Sequence, residues 1–378
     1  IQTLLSGNRA FGSRDRRLYR ELIYTTLRYL PWIEPLLDPE PEKAAAVTAW
    51  LAADTPATQA FRAAATTGWP PCPSRLAEKA ALLGDRIAPG HTFGLPLPDW
   101  FRAHCPEAFG PAEADALLAR APLWVRLQRG DAHQLSATFT AAGWTWQRSE
   151  VLPSAFRLPA EAEVAKSEAY RDGEIEIQDL GSQLILASPG LEAGTSWLDA
   201  CAGAGGKTLQ LAQLLGPTGH VDAHDIRSDA LAELRLRALR AGLKNVSTLS
   251  APPDRNYDGV LVDAPCSGTG TWRRSPHLKW TTSPAQIEAF AARQRALLQD
   301  FSRRVRPGGR LVYATCSLSR RENAEVVAAF LAANPDFSPA PFASTFGFTP
   351  QNGGFTIFPS RHDTDGFFVA SLRRAENH

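Results

Sequence analysis

The sequence predicts an α/β protein in which a Rossmann-like, doubly wound and mainly parallel sheet follows an all-helical domain and a small α/β subdomain. Three patterns support this prediction. Residues 1–120 have helical periodicity, residues 121–172 mix short strand-like runs with one helix-like run, and residues 173–378 repeat strand, loop and helix. A chain of 378 residues, 44% hydrophobic and 21% charged, is large enough for two or three domains with a sizeable core.

The first 120 residues predict a set of helices. In "DRRLYRELIYTTLRYLPWIEPLL" (15–37), apolar side chains recur at spacings of three and four residues, and Pro-containing breaks at 38–41 and 70–73 separate the helices. One face of this region carries Arg14, Arg16, Arg17, Arg20 and Arg28. These arginines fit either an ordinary solvated helix surface or a surface that contacts RNA.

The following segments predict the sheet. "PLWVRLQ" (122–128) opens the small α/β unit, in which no catalytic residue stands out. Later runs such as "YDGVLVDAPC" and "GRLVYATCSLSRRENAEVVAAFL" alternate apolar strands with amphipathic helices. Ser228 and Gly242 fit the start and stop of one helix, and Ser319 with Glu322 has the spacing of a capping box for another. Ligands bind at the carboxyl ends of the strands in such sheets.

Composition excludes several classes of protein. A net charge of +1 predicts no extended polyanion-binding surface, so any such site must be local. Five cysteines without a C-x-x-C pair argue against a disulfide framework and a zinc site, and we expect no metal. No apolar run approaches the length of a membrane span and no signal-peptide pattern is visible, so we expect a cytoplasmic protein and, by default, a monomer.

A glycine-rich loop, "LDACAGAGGKT" (198–208), follows a predicted strand and opens a helix. It is not a phosphate-binding P-loop, because Cys201 stands where that motif requires its first glycine. Asp225, at the end of the next strand, is well placed for ribose hydroxyl groups. The loop therefore fits either a plain tight turn or a cofactor site. Asp225 suits NAD and S-adenosylmethionine equally, since both cofactors present an adenosine ribose.

Two cysteines end two predicted strands. Cys266 follows "VLVDAP" and Cys316 follows "LVYAT", whereas Cys72 and Cys105 fit buried small hydrophobic residues. A thiolate that adds to C6 of cytosine makes C5 able to accept a methyl group, provided that an acid such as Asp263 protonates or hydrogen-bonds N3. A second thiol would then assist release of the product.

The attacking thiol requires activation, because a free cysteine has a pKa of about 8.5. The N-terminus of the helix predicted after Cys316 is the expected source, and Lys207 would add positive field nearby.

These motifs resemble a known family. "DAPCSGTG" (263–270), "YATCS" (313–317) with "REN" following, "DACAGAGGKT" (199–208), "QDLGSQ" (178–183) and the terminal "TDGFFVASLRR" (364–374) together resemble the RNA cytosine-5 methyltransferases of the Fmu/Sun family, whose catalytic domain has the class I methyltransferase form of the Rossmann-like sheet. "DRRLYRELIYTTLRYL" (15–30) is similar to the NusB-like helical domain of the RsmB-type 16S ribosomal RNA methyltransferases in this family.

The resemblance implies three domains: a NusB-like RNA-binding domain (1–120), a connecting subdomain (121–172) and an S-adenosylmethionine-dependent methyltransferase domain (173–378). It implies that Cys316 is the nucleophile, that Cys266 helps to release the product, and that Asp263 lies between cofactor and cytosine. Implied cofactor-binding residues are Asp199, Cys201, Ala202, Gly203, Ala204, Gly205, Gly206, Lys207, Asp225 and Asp263. Ala204 stands where the family usually has proline, and "STLSAPPDR" (247–255) has no clear equivalent of a further cofactor-contacting aspartate.

The segment "TWRRSPHLKW" (271–280), just after Cys266, mixes basic and aromatic residues and predicts RNA contact, since basic groups neutralise phosphates and aromatic rings stack on unpaired bases. A loop anchored to the core by its tryptophans is the alternative. The implied substrate is structured RNA, with 16S ribosomal RNA first and transfer RNA as the alternative. Two other functions remain open, namely a non-catalytic NusB-like RNA-binding or assembly protein and an NAD-dependent oxidoreductase.

Overall fold

A computed structural model describes residues 5, 7, 11–87, 92–252 and 254–376. The chain divides into two compact units. The first comprises Ile1–Arg120 with Thr271–Thr282, and the second Ala121–Gly270 with Ser283–His378. In the described ranges, no helix has both the length and the apolar composition needed to cross a membrane.

The first unit is helical. The predicted helical stretch 15–37 forms two helices that meet at Tyr29. Among the described residues of this unit from position 11 onward, the α-helices are Ser13–Arg28, Leu30–Leu37, Pro41–Leu51, Gln59–Ala65, Leu76–Ile87, Pro111–Leu118 and Leu278–Thr281, with 3₁₀ turns at Asp99–Ala103 and Pro106–Phe109. On the predicted arginine face, Arg14, Arg17 and Arg20 are exposed, whereas Arg28 is buried.

The segment 271–282 belongs to this helical unit, which corrects part of the RNA-contact prediction. Trp272, Arg273 and Lys279 are buried, and Lys279 Nζ donates a 2.7 Å hydrogen bond to the backbone carbonyl of Arg28. Burial also lowers the pKa of Lys279. These three side chains therefore stabilise the helical unit, and the prediction that they contact RNA is wrong. The anchored-loop alternative describes Trp272 correctly, but it did not predict the burial of Arg273 and Lys279.

The second unit begins with a small antiparallel sheet in the order β2-β3-β1-β4. Its strands are Leu123–Leu127 (β1), Gln147–Arg148 (β2), Ala155–Leu158 (β3) and Ile175–Ile177 (β4). Helices Ala132–Ala141 and Glu168–Arg171 and the 3₁₀ turn Val164–Lys166 belong to the same part of the chain.

The large sheet of the second unit has the order β10-β12-β9-β8-β5-β6-β7 in the described part of the chain, with β11 paired to β12. Its strands are Ser196–Asp199 (β5), His220–His224 (β6), Val246–Leu249 (β7), Tyr257–Asp263 (β8), Val305–Thr315 (β9), Phe337–Pro339 (β10), Gly354–Ile357 (β11) and Phe367–Arg374 (β12). Strands β5 to β9 pair in parallel, whereas β10, β11 and β12 pair antiparallel. The predicted fold class is confirmed.

Helices connect and cover these strands. They are Leu180–Ala187, Gly206–Leu215, Ser228–Arg240, Pro284–Ser302, Ala324–Ala333 and Pro359–His362, with a 3₁₀ turn at Thr269–Thr271. Strand β8 carries a continuous apolar run because both faces of a central parallel strand are covered; Val260, Leu261 and Val262 are fully buried. Since β5, β8 and β9 are parallel neighbours, the loops that follow them lie at one edge of the sheet.

Two of the three predicted helix ends differ in detail. Ser228 is the first residue of its helix rather than the N-cap, while Gly242, with φ of +69°, follows the helix end as predicted. The predicted capping box of Ser319 and Glu322 is wrong. The helix after Cys316 begins only at Ala324, and the buried Glu322 carboxylate accepts hydrogen bonds from Ser267 and Ser317 instead.

Candidate active site

The two strand-end cysteines meet in space. Cys266 follows β8 and Cys316 follows β9, and their sulfur atoms lie 3.3 Å apart. The hydrogen bond with Cys316 and burial raise the pKa of the Cys266 thiol well above its ordinary value. Cys266 therefore stays protonated at neutral pH and is able to donate a hydrogen bond to the sulfur of Cys316.

A buried ion pair lies beside the thiols. Lys207 Nζ donates a 2.8 Å hydrogen bond to Oδ2 of Asp263, the last residue of β8. Burial lowers the pKa of Lys207, but the charge of Asp263 and its hydrogen bond outweigh burial, so that the pKa is raised. Lys207 also interacts electrostatically with Cys316 and so supplies positive field at the predicted nucleophile.

The helix after Cys316 starts eight residues further along the chain, at Ala324. Its N-cap residue, Asn323, nevertheless hydrogen-bonds the Thr315 hydroxyl and the Ser317 carbonyl, on either side of Cys316. Activation of Cys316 by this helix terminus therefore stays a prediction, and the Lys207 ammonium adds positive charge near the sulfur.

Asp199 ends β5 and is buried under the glycine loop. Its Oδ2 accepts a 2.7 Å hydrogen bond from Thr208, while its Oδ1 has no hydrogen-bond partner within the described residues. Burial raises the pKa of Asp199 to about 7; the Thr208 bond opposes this rise and the nearby Asp263 adds to it. A buried carboxylate oxygen without a donor is a candidate binding group for a cation.

The glycine loop connects β5 to the helix Gly206–Leu215. The Ala202 amide donates to the His224 carbonyl, and Gly205 has φ of +90°, a conformation that favours glycine. A methyl group added at Gly206 would meet no atom within 4 Å, so the backbone here borders open space. The loop can therefore hold a ligand close to its backbone.

Asp225 follows β6 next to this loop. Its carboxylate accepts a 2.8 Å hydrogen bond from the Gly203 amide and two hydrogen bonds from the Arg227 guanidinium, at 3.0 and 3.1 Å. Burial raises the pKa of Asp225, but the hydrogen bonds from Arg227 and Gly203 outweigh burial and lower it. The Arg227 side chain is 62% exposed, so it can leave this carboxylate for solvent.

The remaining predicted loop residues have backbone or packing positions. The carbonyl of Ala204 accepts a 2.7 Å hydrogen bond from Arg237, and burial raises the pKa of Cys201, which makes its thiol unreactive. All five cysteines are free thiols; Cys105 is buried and Cys72 is partly buried. No group of three or more His, Cys, Asp or Glu residues is placed to hold a metal ion in the part of the chain that the structure describes.

The backbone around Gly270 joins three segments of the site. The Gly270 amide donates to the Cys316 carbonyl at 3.0 Å, and the Gly270 carbonyl accepts from the Gly366 amide at 2.8 Å. A Cβ at this position would collide with the Gly366 carbonyl and lie 2.8 Å from the Cys316 carbonyl oxygen. The close approach of the Cys266 loop, the Cys316 loop and the start of β12 therefore requires glycine here.

Gly270→Ala is expected to lower the free energy of unfolding by about 1–3 kcal/mol, because the added methyl group forces backbone segments apart. Urea unfolding measures this change. The matched variant Gly206→Ala, whose methyl group meets open space, should keep its stability but bind the ligand of the glycine loop about tenfold more weakly. Equal losses of stability in the two variants would contradict the packing argument.

Sequence reasoning did not identify three residues that support this site. Arg227 pairs with Asp225, Glu322 bonds both cysteine loops, and Gln294 donates to the Pro265 carbonyl at 2.9 Å. The sequence pointed to Glu322, since this residue lies within the "REN" motif that follows Cys316. No motif pointed to Gln294, because it is one polar residue among several in a long amphipathic helix.

Comparison with known proteins identifies the family. The family model described as 16S rRNA methyltransferase RsmB/F matches residues 186–373. A probable ribosomal RNA small subunit methyltransferase B of Bacillus subtilis is 30% identical over 303 residues, covering 73% of this chain and 66% of the relative. The ribosomal RNA small subunit methyltransferase B of Xanthomonas campestris is 32% identical, covering 74% of this chain and 66% of the relative. The chain thus spans about two thirds of the length of these relatives.

Solved structures agree on the fold. PH0851 has a TM-score of 0.74 at 22% identity, covering 96% of this chain and 91% of that one. A methyltransferase homolog protein from Pyrococcus horikoshii has a TM-score of 0.63 at 25% identity, covering 73% of this chain and 93% of that one. The family model and the curated relatives show that the chain belongs to the RsmB/F family of 16S rRNA methyltransferases and contains its methyltransferase domain.

Proposed function

We propose that the protein transfers a methyl group from S-adenosyl-L-methionine to C5 of a cytosine in structured RNA, through a covalent adduct between Cys316 and C6. The observation that carries the proposal is the 3.3 Å approach of the Cys266 and Cys316 sulfur atoms beside the Lys207–Asp263 ion pair. The names of the relatives support 16S ribosomal RNA as the first candidate substrate. Transfer RNA is the alternative.

Observations at the glycine loop fit S-adenosyl-L-methionine, which supplies a methyl cation equivalent when it is bound. The open space at Gly206 would admit the ligand against the backbone. The unpartnered Oδ1 of Asp199 would accept a hydrogen bond from the ligand's ammonium group. Asp225 would accept bonds from ribose hydroxyl groups in exchange for those from Arg227. The wider cofactor-binding set would be the loop residues 201–207 with Asp263.

The residues of the chain then divide the chemistry. The Cys316 thiolate forms a bond to C6, and the electron pair of the C5–C6 double bond becomes available at C5. Lys207 would supply a proton to N3 by way of the Asp263 carboxylate. After C5 has gained its methyl group, a water molecule takes the C5 proton, the C5–H electron pair forms the double bond again and the C6–S electron pair returns to Cys316. The N3 proton then returns to the Lys207–Asp263 pair. The Cys266 thiol would donate a hydrogen bond to the leaving sulfur.

The geometry of this addition requires an unpaired base. C6 of cytosine is inaccessible within a stacked helix, so the target must be a loop, a bulge or a base turned out of its stack. We propose residues 1–120 as the NusB-like RNA-binding domain, with the exposed Arg14, Arg17 and Arg20 as phosphate contacts. Residues 121–172 would form the connecting subdomain and residues 173–378 the methyltransferase domain.

Cofactor affinity is expected to fall below pH 7. The pKa of Asp199 is raised to about 7 by burial, and an ammonium ligand requires the ionised carboxylate. Affinity should therefore level off about one unit above pH 7, and its fall should approach about tenfold for each pH unit well below pH 7. Isothermal titration from about pH 8.5 to pH 5.5 measures this dependence, and Asp199→Asn should bind more weakly with a flat profile. A sloping profile in Asp199→Asn would assign the titration to another group.

A transfer assay tests the reaction itself. Purified protein, radiolabelled S-adenosyl-L-methionine and total RNA from a strain that lacks the gene should give labelled 5-methylcytosine. Bisulfite sequencing of ribosomal and transfer RNA from that strain identifies the position that loses the modification. RNA binding without transfer would favour an assembly protein, and tighter binding of NAD than of S-adenosyl-L-methionine would favour an oxidoreductase.

A further inference from the structure

One buried acidic side chain, Glu322, is hydrogen-bonded to both cysteine loops. Glu322 is fully buried although it lies only six residues after Cys316. A buried carboxylate is costly unless hydrogen bonds satisfy its oxygens. The position of Glu322 between the loops therefore requires an explanation other than surface solvation.

The carboxylate receives hydrogen bonds from both loops. From the Cys266 loop, the Ser267 amide donates to Oε1 at 2.8 Å and the Ser267 hydroxyl to Oε2 at 2.5 Å. From the Cys316 loop, the Ser317 hydroxyl donates to Oε2 at 2.6 Å. Gln294 adds a bond to Oε1 at 3.1 Å from the helix Pro284–Ser302. Each serine directly follows one of the two cysteines.

The donors are themselves held in place. The Ser317 hydroxyl lies 2.9 Å from the Thr269 hydroxyl, which accepts 2.9 Å from the Leu318 amide. The Asn323 side chain donates to the Ser317 carbonyl at 2.8 Å. A network of this kind transmits a change in one carboxylate to the positions of both loops, because few alternative partners exist inside the core.

The charge of Glu322 also acts on one thiol in particular. It contributes to the raised pKa of Cys266, after the bond with Cys316 and burial. Tyr313 also interacts electrostatically with Cys266; burial, followed by the charges of Cys266, Glu322 and Asp263, raises the pKa of Tyr313, and Arg295 opposes the rise. The Lys207–Asp263 pair lies near Cys316.

We propose that Glu322 is a positioning residue that holds the Cys266 and Cys316 loops at their separation, so that the Cys266 thiol keeps its hydrogen bond with the Cys316 sulfur. Its role in turnover rests on the proposed methyl transfer. The effect on Cys266 does not, because it is a property of the free protein. Glu322 would touch neither RNA nor cofactor.

Glu322→Gln tests the role in turnover. The glutamine amide has one acceptor oxygen in place of the two that take four hydrogen bonds in Glu322, so kcat for methyl transfer should fall about ten- to a hundredfold. The KM for S-adenosyl-L-methionine should stay unchanged, because the glycine loop does not bond Glu322. The matched control is Glu325→Gln, three residues along the chain, which removes only an exposed pair with Arg321 and should have the wild-type kcat.

Thiol alkylation tests the positioning of Cys266 without any assay of activity. Iodoacetamide labelling followed by peptide mass spectrometry gives the pH dependence of modification at Cys266. In Glu322→Gln this profile should shift to lower pH, because the hydrogen bond with Cys316 that raises the Cys266 pKa is weakened when the loops move. In Glu325→Gln the profile should not shift. A loss of stability without movement of the two loops would leave the profile unchanged.

The outcomes separate the proposals. Wild-type kcat together with an unshifted profile in Glu322→Gln overturns the inference. A shifted profile in a protein that methylates no RNA retains the inference on Cys266 and removes the proposed reaction. Should Glu322→Gln not fold, Ser317→Ala removes one donor only, and it should lower kcat with the KM for S-adenosyl-L-methionine unchanged. Wild-type kcat in Ser317→Ala then overturns the role in turnover.

Discussion

Cys316→Ala is expected to abolish methyl transfer, with a loss of at least about 10⁴-fold in kcat. Without the sulfur no bond forms to C6, and C5 of cytosine remains a poor nucleophile. Transfer of a radiolabelled methyl group to RNA measures the loss. RNA that contains 5-fluorocytosine gives a second measurement, because fluorine cannot leave as a proton does and the wild-type protein should remain attached to it.

The control for this loss is a cysteine outside the site. Cys72 lies in the helical unit, and the Cys72→Ala variant should retain both activity and adduct formation. Cys316→Ala should still bind S-adenosyl-L-methionine, because the glycine loop is unchanged, and this binding separates loss of chemistry from loss of fold. Measurable transfer by Cys316→Ala would assign the attack to another group.

Cys266→Ala is expected to accumulate a covalent protein–RNA adduct. The Cys266 sulfur lies 3.3 Å from Cys316, and its raised pKa keeps a proton available for the departing sulfur. Without that donor, the C6–S bond should break slowly, so the protein stops after about one turnover. A denaturing gel should show a band of protein joined to RNA, which the wild-type protein lacks at steady state.

Two variants test this assignment. The double variant Cys266→Ala with Cys316→Ala should give no adduct, because the bond forms through Cys316. Cys266→Ser retains a hydroxyl donor and should release more product than Cys266→Ala. Normal turnover by Cys266→Ala without any adduct would remove the role assigned to Cys266.

The parallel sheet and the edge that holds the site were predictable from sequence. Apolar runs followed by amphipathic helices specify parallel strands, and the rule that ligands bind at strand carboxyl ends placed Asp199, Asp263, Cys266 and Cys316 in one neighbourhood. The structure brings these residues together there. The local hydrophobic pattern is sufficient to predict this part of the fold, because the rules for connecting strands allow only a few topologies.

Long-range partners explain what could not be predicted. The segment 271–282 has the composition of a nucleic-acid loop, yet Lys279 is buried by the carbonyls of Arg28 and Pro96, far away in the chain. Glu322 has a local partner at the spacing of a capping box, but donors on the Cys266 loop bind it instead. The residues next to a side chain in one sequence do not indicate which distant group will form its hydrogen bond, because tertiary contacts override local preference.

The excursion of residues 271–282 into the helical unit has a consequence for how such a gene can change. The Trp272 ring contacts Phe101 at a tilt of 57°, and Lys279 donates hydrogen bonds to backbone carbonyls of the same early part of the chain. Deletion of codons 1–120 alone would expose the Trp272 ring to water and remove the carbonyl acceptors of Lys279. A lineage that loses residues 1–120 would also need substitutions in residues 271–282, which follow the Cys266 loop. We therefore expect the two stretches to be inherited or lost together.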